Sequence, residues 1–198
     1  MGHTDNFHLD DFSLAGVTGE SIVFESANPK NYFEAINNPK DCERIHITGK
    51  LFVAARNHLS PVVIIVPGSL GVGENHLEHA ETIVSAGLAA FVLDPFTNRQ
   101  VESTVANQTP FSFAASAFDV LMALQVVAGH PAIDADRISA QGHSRGGSAV
   151  LMSCMHQFSG PIVGEMCSFQ GVYAVYPWCG HQFLRPSVGV TRVRAILG

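Results

Sequence analysis

The sequence predicts an α/β protein with a mainly parallel sheet, helices on both of its faces and an antiparallel strand pair on its N-terminal side. Three observations carry this reading. The short, wholly apolar, β-branched-rich run PVVIIV (61–66), followed by the apolar stretch LAAFVLD (88–94), is what strands buried on both faces look like. Segments of helical period separate them, as βαβ units require. Ahead of them, ESIVFES (20–26) and RIHITGKLFVA (44–54) alternate or mix apolar and polar residues, the pattern of half-buried antiparallel strands.

In chain order, residues 1–19 are polar and without clear period, and read as a loosely ordered lead-in. The stretch NPKNYFEAINNPKD between the first two strands is rich in turn residues. The apolar strand 61–66 stops abruptly at PGSLGVG. In ENHLEHAETIVSA (74–86), Leu77, Ala80, Ile83 and Val84 share one helical face, and Gly87 follows as a stop. After strand 88–94 comes the polar connection 96–111, then a long helix over 112–129 carrying Ala115, Phe118, Leu121 and Leu124. DADRISAQG (134–142) is the next strand, 146–157 a helix, MCSFQGVYAVYP (166–177) another strand, and TRVRAILG (191–198) begins one more. The 198 residues suit one domain, 1–198.

Composition narrows the function. The chain is 46% hydrophobic and 14% charged, with a net charge of −6 and no basic cluster, which excludes a phosphate-neutralising nucleic-acid surface. No apolar run reaches the ~20 residues that cross a bilayer, and the N-terminus has no secretory signal pattern, so the chain reads as soluble and cytoplasmic, with no membrane partner. The four cysteines and ten histidines show no CxxC, HExxH or other metal-ligand spacing, so neither a metal nor a cofactor is expected.

The motif that carries chemistry is Gly142-His143-Ser144-Arg145-Gly146. It follows a predicted buried strand without a gap and opens a predicted helix, the strand-turn-helix context of a nucleophile elbow. Such a turn strains the serine backbone, leaves room only for hydrogen at the flanking glycines, and places the hydroxyl at the positive end of a helix dipole. The competing reading makes Ser144 a helix cap. His143 leaves the elbow in another direction and is read as a packed histidine. The side chain of Arg145 is expected to pack or pair on the helix rather than face a ligand.

With those residues in view, the segment 61–198 resembles the α/β-hydrolase fold and, within it, the dienelactone hydrolase family. PVVIIVPGSLG, GLAAFVLDPF, IDADRISAQGHSRGG and VYAVYPWCG carry the resemblance. Founding members of that family look to use a cysteine nucleophile; Ser144 places this chain with its serine-type, esterase-like relatives. The resemblance implies an oxyanion hole from the main-chain N–H of Arg145 and of Ser69, with Leu70 as the one-residue-shifted alternative.

The triad order Ser, acid, His leaves little downstream of Ser144: Glu165, His156 and His181. Glu165 lies toward the wrong end of its strand, His156 far along the helix from the elbow, and His181 at the correct edge but with no acid after it. RVRAILG resembles the strand that leads, in family members, into the loop bearing the catalytic aspartate. The resemblance therefore implies a C-terminally truncated domain whose acid, histidine, final strand and helix lie beyond Gly198, with an exposed strand edge open to self-association, and with Cys179 separated from a partner cysteine. The expected activity is hydrolysis of a small carboxylic ester or lactone through an acyl-enzyme on Ser144. The alternative is a non-catalytic α/β-hydrolase-fold module that binds a ligand or partner. Phe96, Phe111, Phe113 and Trp178 are candidate pocket walls.

Overall fold

The computed structural model describes residues 6–54, 57–164, 168–180 and 183–197. Its main sheet has seven strands in the order β3-β4-β6-β5-β7-β8-β9. These are β3 (Glu20–Ala27), β4 (Arg44–Phe52), β5 (Ser60–Val66), β6 (Ala89–Asp94), β7 (Ile133–His143), β8 (Gly171–Val175) and β9 (Arg192–Ile196). The expected antiparallel pair is β3 with β4. β4 also joins β6 antiparallel, and every pairing from β6 through β5, β7 and β8 to β9 is parallel.

The period of two along β6 shows how the sheet is covered. Ala89, Phe91 and Leu93 join a large core under α3 (Phe113–Ala128), α4 (Arg145–Ser153) and α5 (His156–Val163). Ala90 and Val92 face the opposite side, with Phe52 and Ile65, against Leu77, Ala80 and Val84 of α2 (Glu74–Ser85). All six residues of β6 are buried, the condition that produces an unbroken apolar run. α3 is apolar nearly all round because it lies between the sheet and neighbouring helices; Ser112 caps it by accepting the Ala115 N–H.

Two stretches depart from the sequence reading. The turn-rich segment contains a helix, α1 (Tyr32–Asn37), started by Asn31, whose side chain accepts the Glu34 N–H. The two Asn-Pro steps lie outside it, so proline bounds this helix rather than forbidding it. Residues 6–18 are packed instead of loose: β1 (Ser13–Leu14) and β2 (Val17–Thr18) form a small ladder, and Phe7, Phe12 and Leu14 are buried against Phe52, Ile65 and α2. Apolar residues scattered without period were enough to close the second face. In the stretch expected as strand 166–177, the observed strand is 171–175, and Glu165 to Cys167 lie outside the described residues.

Candidate active site

The parallel strands deliver their carboxyl ends to one side of the molecule, and the loops there carry the candidate residues. β7 ends at His143 and α4 begins at Arg145, so Ser144 is the whole connection between strand and helix. Its backbone has φ +52° and ψ −113°, a region that L-residues rarely occupy. Its side chain makes no capping hydrogen bond to α4, so the cap reading of this serine finds no support in the geometry. Ser144 is exposed, although Gly142 and Arg145 on either side are buried.

The glycines explain how that conformation is held. A Cβ on Gly142 would sit 2.1 Å from the Gly146 carbonyl oxygen, and one on Gly146 would sit 2.4 Å from the Val66 oxygen. Strand β7, helix α4 and the end of β5 therefore touch backbone to backbone around the serine, and only hydrogen fits at either position. Gly147 continues the contact toward β8, where its added Cβ would lie 3.0 Å from the Val175 oxygen. The Ser144 N–H donates to that same Val175 carbonyl at 2.8 Å. The serine's own amide is thus occupied, and the next amide along, that of Arg145, finds no acceptor among the described residues.

The loop after β5 supplies the other half. Gly68 lies close under the elbow: a Cβ there would be 3.2 Å from the His143 oxygen and 3.5 Å from Ser144 Cβ. A side chain there would press on the His143 carbonyl, whereas the turn itself is made at Gly71, with φ +73° and its N–H donating to the Gly68 carbonyl. Among the described residues, the N–H groups of Ser69 and Leu70 have no acceptor either. The Ser69 carbonyl, by contrast, accepts from the Thr104 N–H at 2.8 Å and from Ser103 Oγ at 3.2 Å.

Arg145 is 3% exposed and its guanidinium is fully engaged. Nε donates to Ser116 Oγ at 3.0 Å, Nη1 to Gln108 Oε1 at 2.7 Å and Nη2 to the Phe111 carbonyl. The rings of Phe111 and Phe113 lie 4.6 and 4.3 Å from its Cζ. Burial lowers its pKa to about 10, so it remains a cation at neutral pH. The side chain packs rather than facing an open site, and no carboxylate is bonded to it among the described residues.

A second arginine organises the neighbouring loop. Arg99, in the turn after β6, makes a two-pronged contact with Asp119 of α3, Nη1 to Oδ2 at 2.7 Å and Nη2 to Oδ1 at 3.0 Å, with both side chains buried. Ser26 Oγ and Asn28 Oδ1 complete the network, tying β3, the β6 loop and α3 together. Asp94, last in β6, accepts the N–H groups of Phe96 and Thr97 on Oδ1 and turns the chain into that loop.

Sequence reasoning missed the surroundings of His143. Its ring lies 5.1 Å from that of His76, edge to face, and 5.1 Å from that of His79, both from α2. His76 Nδ1 accepts the Gly73 N–H at 3.0 Å, so it helps start α2. Burial, reinforced by the neighbouring His143, lowers the His76 pKa to about 4, and burial likewise lowers that of His143. The His76-x-x-His79 spacing at a helix start was the available signal. Among the described residues, no group of three or more His, Cys, Asp or Glu is arranged to hold a metal ion.

The expected triad partners are not brought to the serine. His156 begins α5, where its ring packs on Gly189 and its N–H donates to the Ser187 carbonyl. Glu165 and His181 lie outside the described residues. Of the candidate pocket walls, Phe96 and Phe111 are buried against Ala115 in a small core of their own. Phe113 stacks on the half-exposed Trp178 at 4.9 Å.

Comparison with solved structures shows which fold this is. The fold is that of the α/β-hydrolases. Esterase Est22 superposes with a TM-score of 0.58 at 21% identity, over 82% of this chain and 44% of its own. A Klebsiella pneumoniae protein assigned as a dienelactone hydrolase gives 0.57 at 16% identity, over 89% of this chain and 72% of its own. The α/β-hydrolase GrgF from Penicillium sp. sh18 gives 0.54 at 17% identity, over 80% and 46%. The chain thus spans less than half the length of Est22 and of GrgF. No protein-family model and no curated protein matches it. Among the described residues, no helix is long and apolar enough to cross a membrane.

Proposed function

We propose that this chain carries the nucleophile and oxyanion hole of a dienelactone hydrolase-like serine hydrolase acting on a small carboxylic ester or lactone. The observation that carries the reading is the strained, exposed Ser144 between β7 and α4, crowded by glycines and free of any capping role. Its Oγ attacks the substrate carbonyl carbon. The resulting oxyanion takes hydrogen bonds from the Arg145 and Ser69 N–H groups, with Leu70 the shifted alternative to Ser69. Collapse of that intermediate expels the alcohol and leaves an acyl group on Ser144, which water then removes as the acid.

The base that takes the hydroxyl proton is not among the described neighbours of Ser144, so the reading is of half a catalytic constellation. Esterase and dienelactone hydrolase structures among its structural neighbours support the substrate class. The test is hydrolysis of p-nitrophenyl acetate by this chain and by Ser144→Ala. A clear loss in the variant is expected, and equal rates would remove the hydrolase reading in favour of a non-catalytic binding module.

A further inference from the structure

The two halves of the proposed oxyanion hole sit on different elements, the elbow after β7 and the loop after β5. A tetrahedral oxyanion needs both N–H groups within a few tenths of an ångström of their productive positions. Gly68 brings the loop against the elbow from below, but close packing sets only a minimum approach. What holds the Ser69 peptide in orientation is on its other side, where the Thr104 N–H and Ser103 Oγ both donate to its carbonyl. These residues belong to the segment 101–111, which has no helix or strand of its own to stiffen it.

Phe111 touches Arg145 at the end of that segment, and Gln108 links its middle, beside Ser103 and Thr104, back to the elbow. Gln108 Nε2 donates to the Thr104 carbonyl, and Gln108 Oε1 accepts from Arg145 Nη1 at 2.7 Å. Arg145 is itself fixed by Ser116 of α3, by the Phe111 carbonyl and by two aromatic rings. A continuous chain of hydrogen bonds therefore runs from Arg145 through Gln108 and Thr104 to Ser69. Its two ends are the residues whose N–H groups form the hole. We propose that Gln108 is a positioning residue that couples the two oxyanion donors, with the Arg145 side chain as its anchor. This rests on the reading of Ser144 as nucleophile.

The amide suits the task because it presents an acceptor to a cation and a donor to a carbonyl at once. Glutamate at this position keeps the shape and the bond to Arg145, but turns an oxygen toward the Thr104 carbonyl. Alanine removes both bonds. Gln108 is exposed, so neither change disturbs the core.

The experiment measures kcat and KM for p-nitrophenyl acetate in the unaltered chain and in Gln108→Ala, Gln108→Glu, Val105→Ala and Ser144→Ala. Gln108→Ala and Gln108→Glu should each lower kcat about tenfold, with KM changed less than about twofold. Val105→Ala, an exposed apolar position in the same segment, should leave both constants unchanged. Unfolding of Gln108→Ala alone is controlled by the isosteric glutamate variant, whose thermal midpoint should match the unaltered chain. Unchanged kcat in both Gln108 variants, beside a large loss in Ser144→Ala, would overturn the coupling and keep the hydrolase reading. A change confined to KM, or a loss in alanine without one in glutamate, would overturn it as well. Equal rates for Ser144→Ala and the unaltered chain would remove the reading and the coupling with it.

Discussion

The carboxyl end of β5, β6 and β7 and the region after β8 lie on one sheet and are built by different means. Around the elbow, main chain meets main chain at Gly142, Gly146 and Gly68, and buried arginines lock the loops on either side. After β8, Tyr176, Trp178, Leu184 and Val190 are half to fully exposed, residues 183–190 form no helix or strand, and β9 has four of its five residues exposed. The difference shows where the fold resists displacement: Ser144 and the main-chain amides of Arg145 and Ser69, which we propose as nucleophile and oxyanion donors, lie on the tightly packed side.

The comparison breaks most visibly if the buried arginine contact is cut. Asp119→Ala leaves Arg99 in the interior without its carboxylate, and should cost roughly 3–5 kcal/mol of unfolding free energy in urea titration. Gly142→Ala, which drives a Cβ into the Gly146 carbonyl, should cost about 3 kcal/mol by the same measurement. A cost under about 1 kcal/mol would mean that the elbow is less tightly held than its contacts indicate.

Acid sharpens the contrast from another direction. The folded-state pKa of His76 is about 4, below the ordinary histidine value, so between roughly pH 6.5 and 4 the unfolded chain binds a proton that the folded chain does not. Stability therefore falls as pH falls through that window, by up to about 3 kcal/mol, and is unaffected by this group above it. Replacing His76 with Gln should flatten that part of the stability profile. Smallest of all, Leu184→Ser in the open region should shift stability by less than about 0.5 kcal/mol.

Much of this was legible in the sequence because it is local. The apolar runs that became β5 and β6, the helix between them, and the strand-serine-helix step at Gly142 to Gly146 each follow from the preferences of adjacent residues. The burial of Phe7 and Phe12 and the ring of His76 beside His143 were not legible, because each depends on a neighbour far along the chain; the helix at Tyr32 had a local signal in Asn31 and Glu34, overshadowed by the two Asn-Pro steps. Gly68 is a further case: the tight contact that favours glycine there is with the His143 carbonyl, 75 residues later, rather than in its own turn.

By itself, the sequence determined the layer architecture and the position of the serine on it, since periodicity and tight-turn sterics act within a few residues. Only the tertiary structure decided that β6 lies outside β5, that Arg145 turns inward to Gln108 and Ser116, and that Thr104 reaches the Ser69 carbonyl. These depend on which surfaces are buried together and which polar groups must then be satisfied, a balance struck over the whole core and not written in any one stretch of the chain.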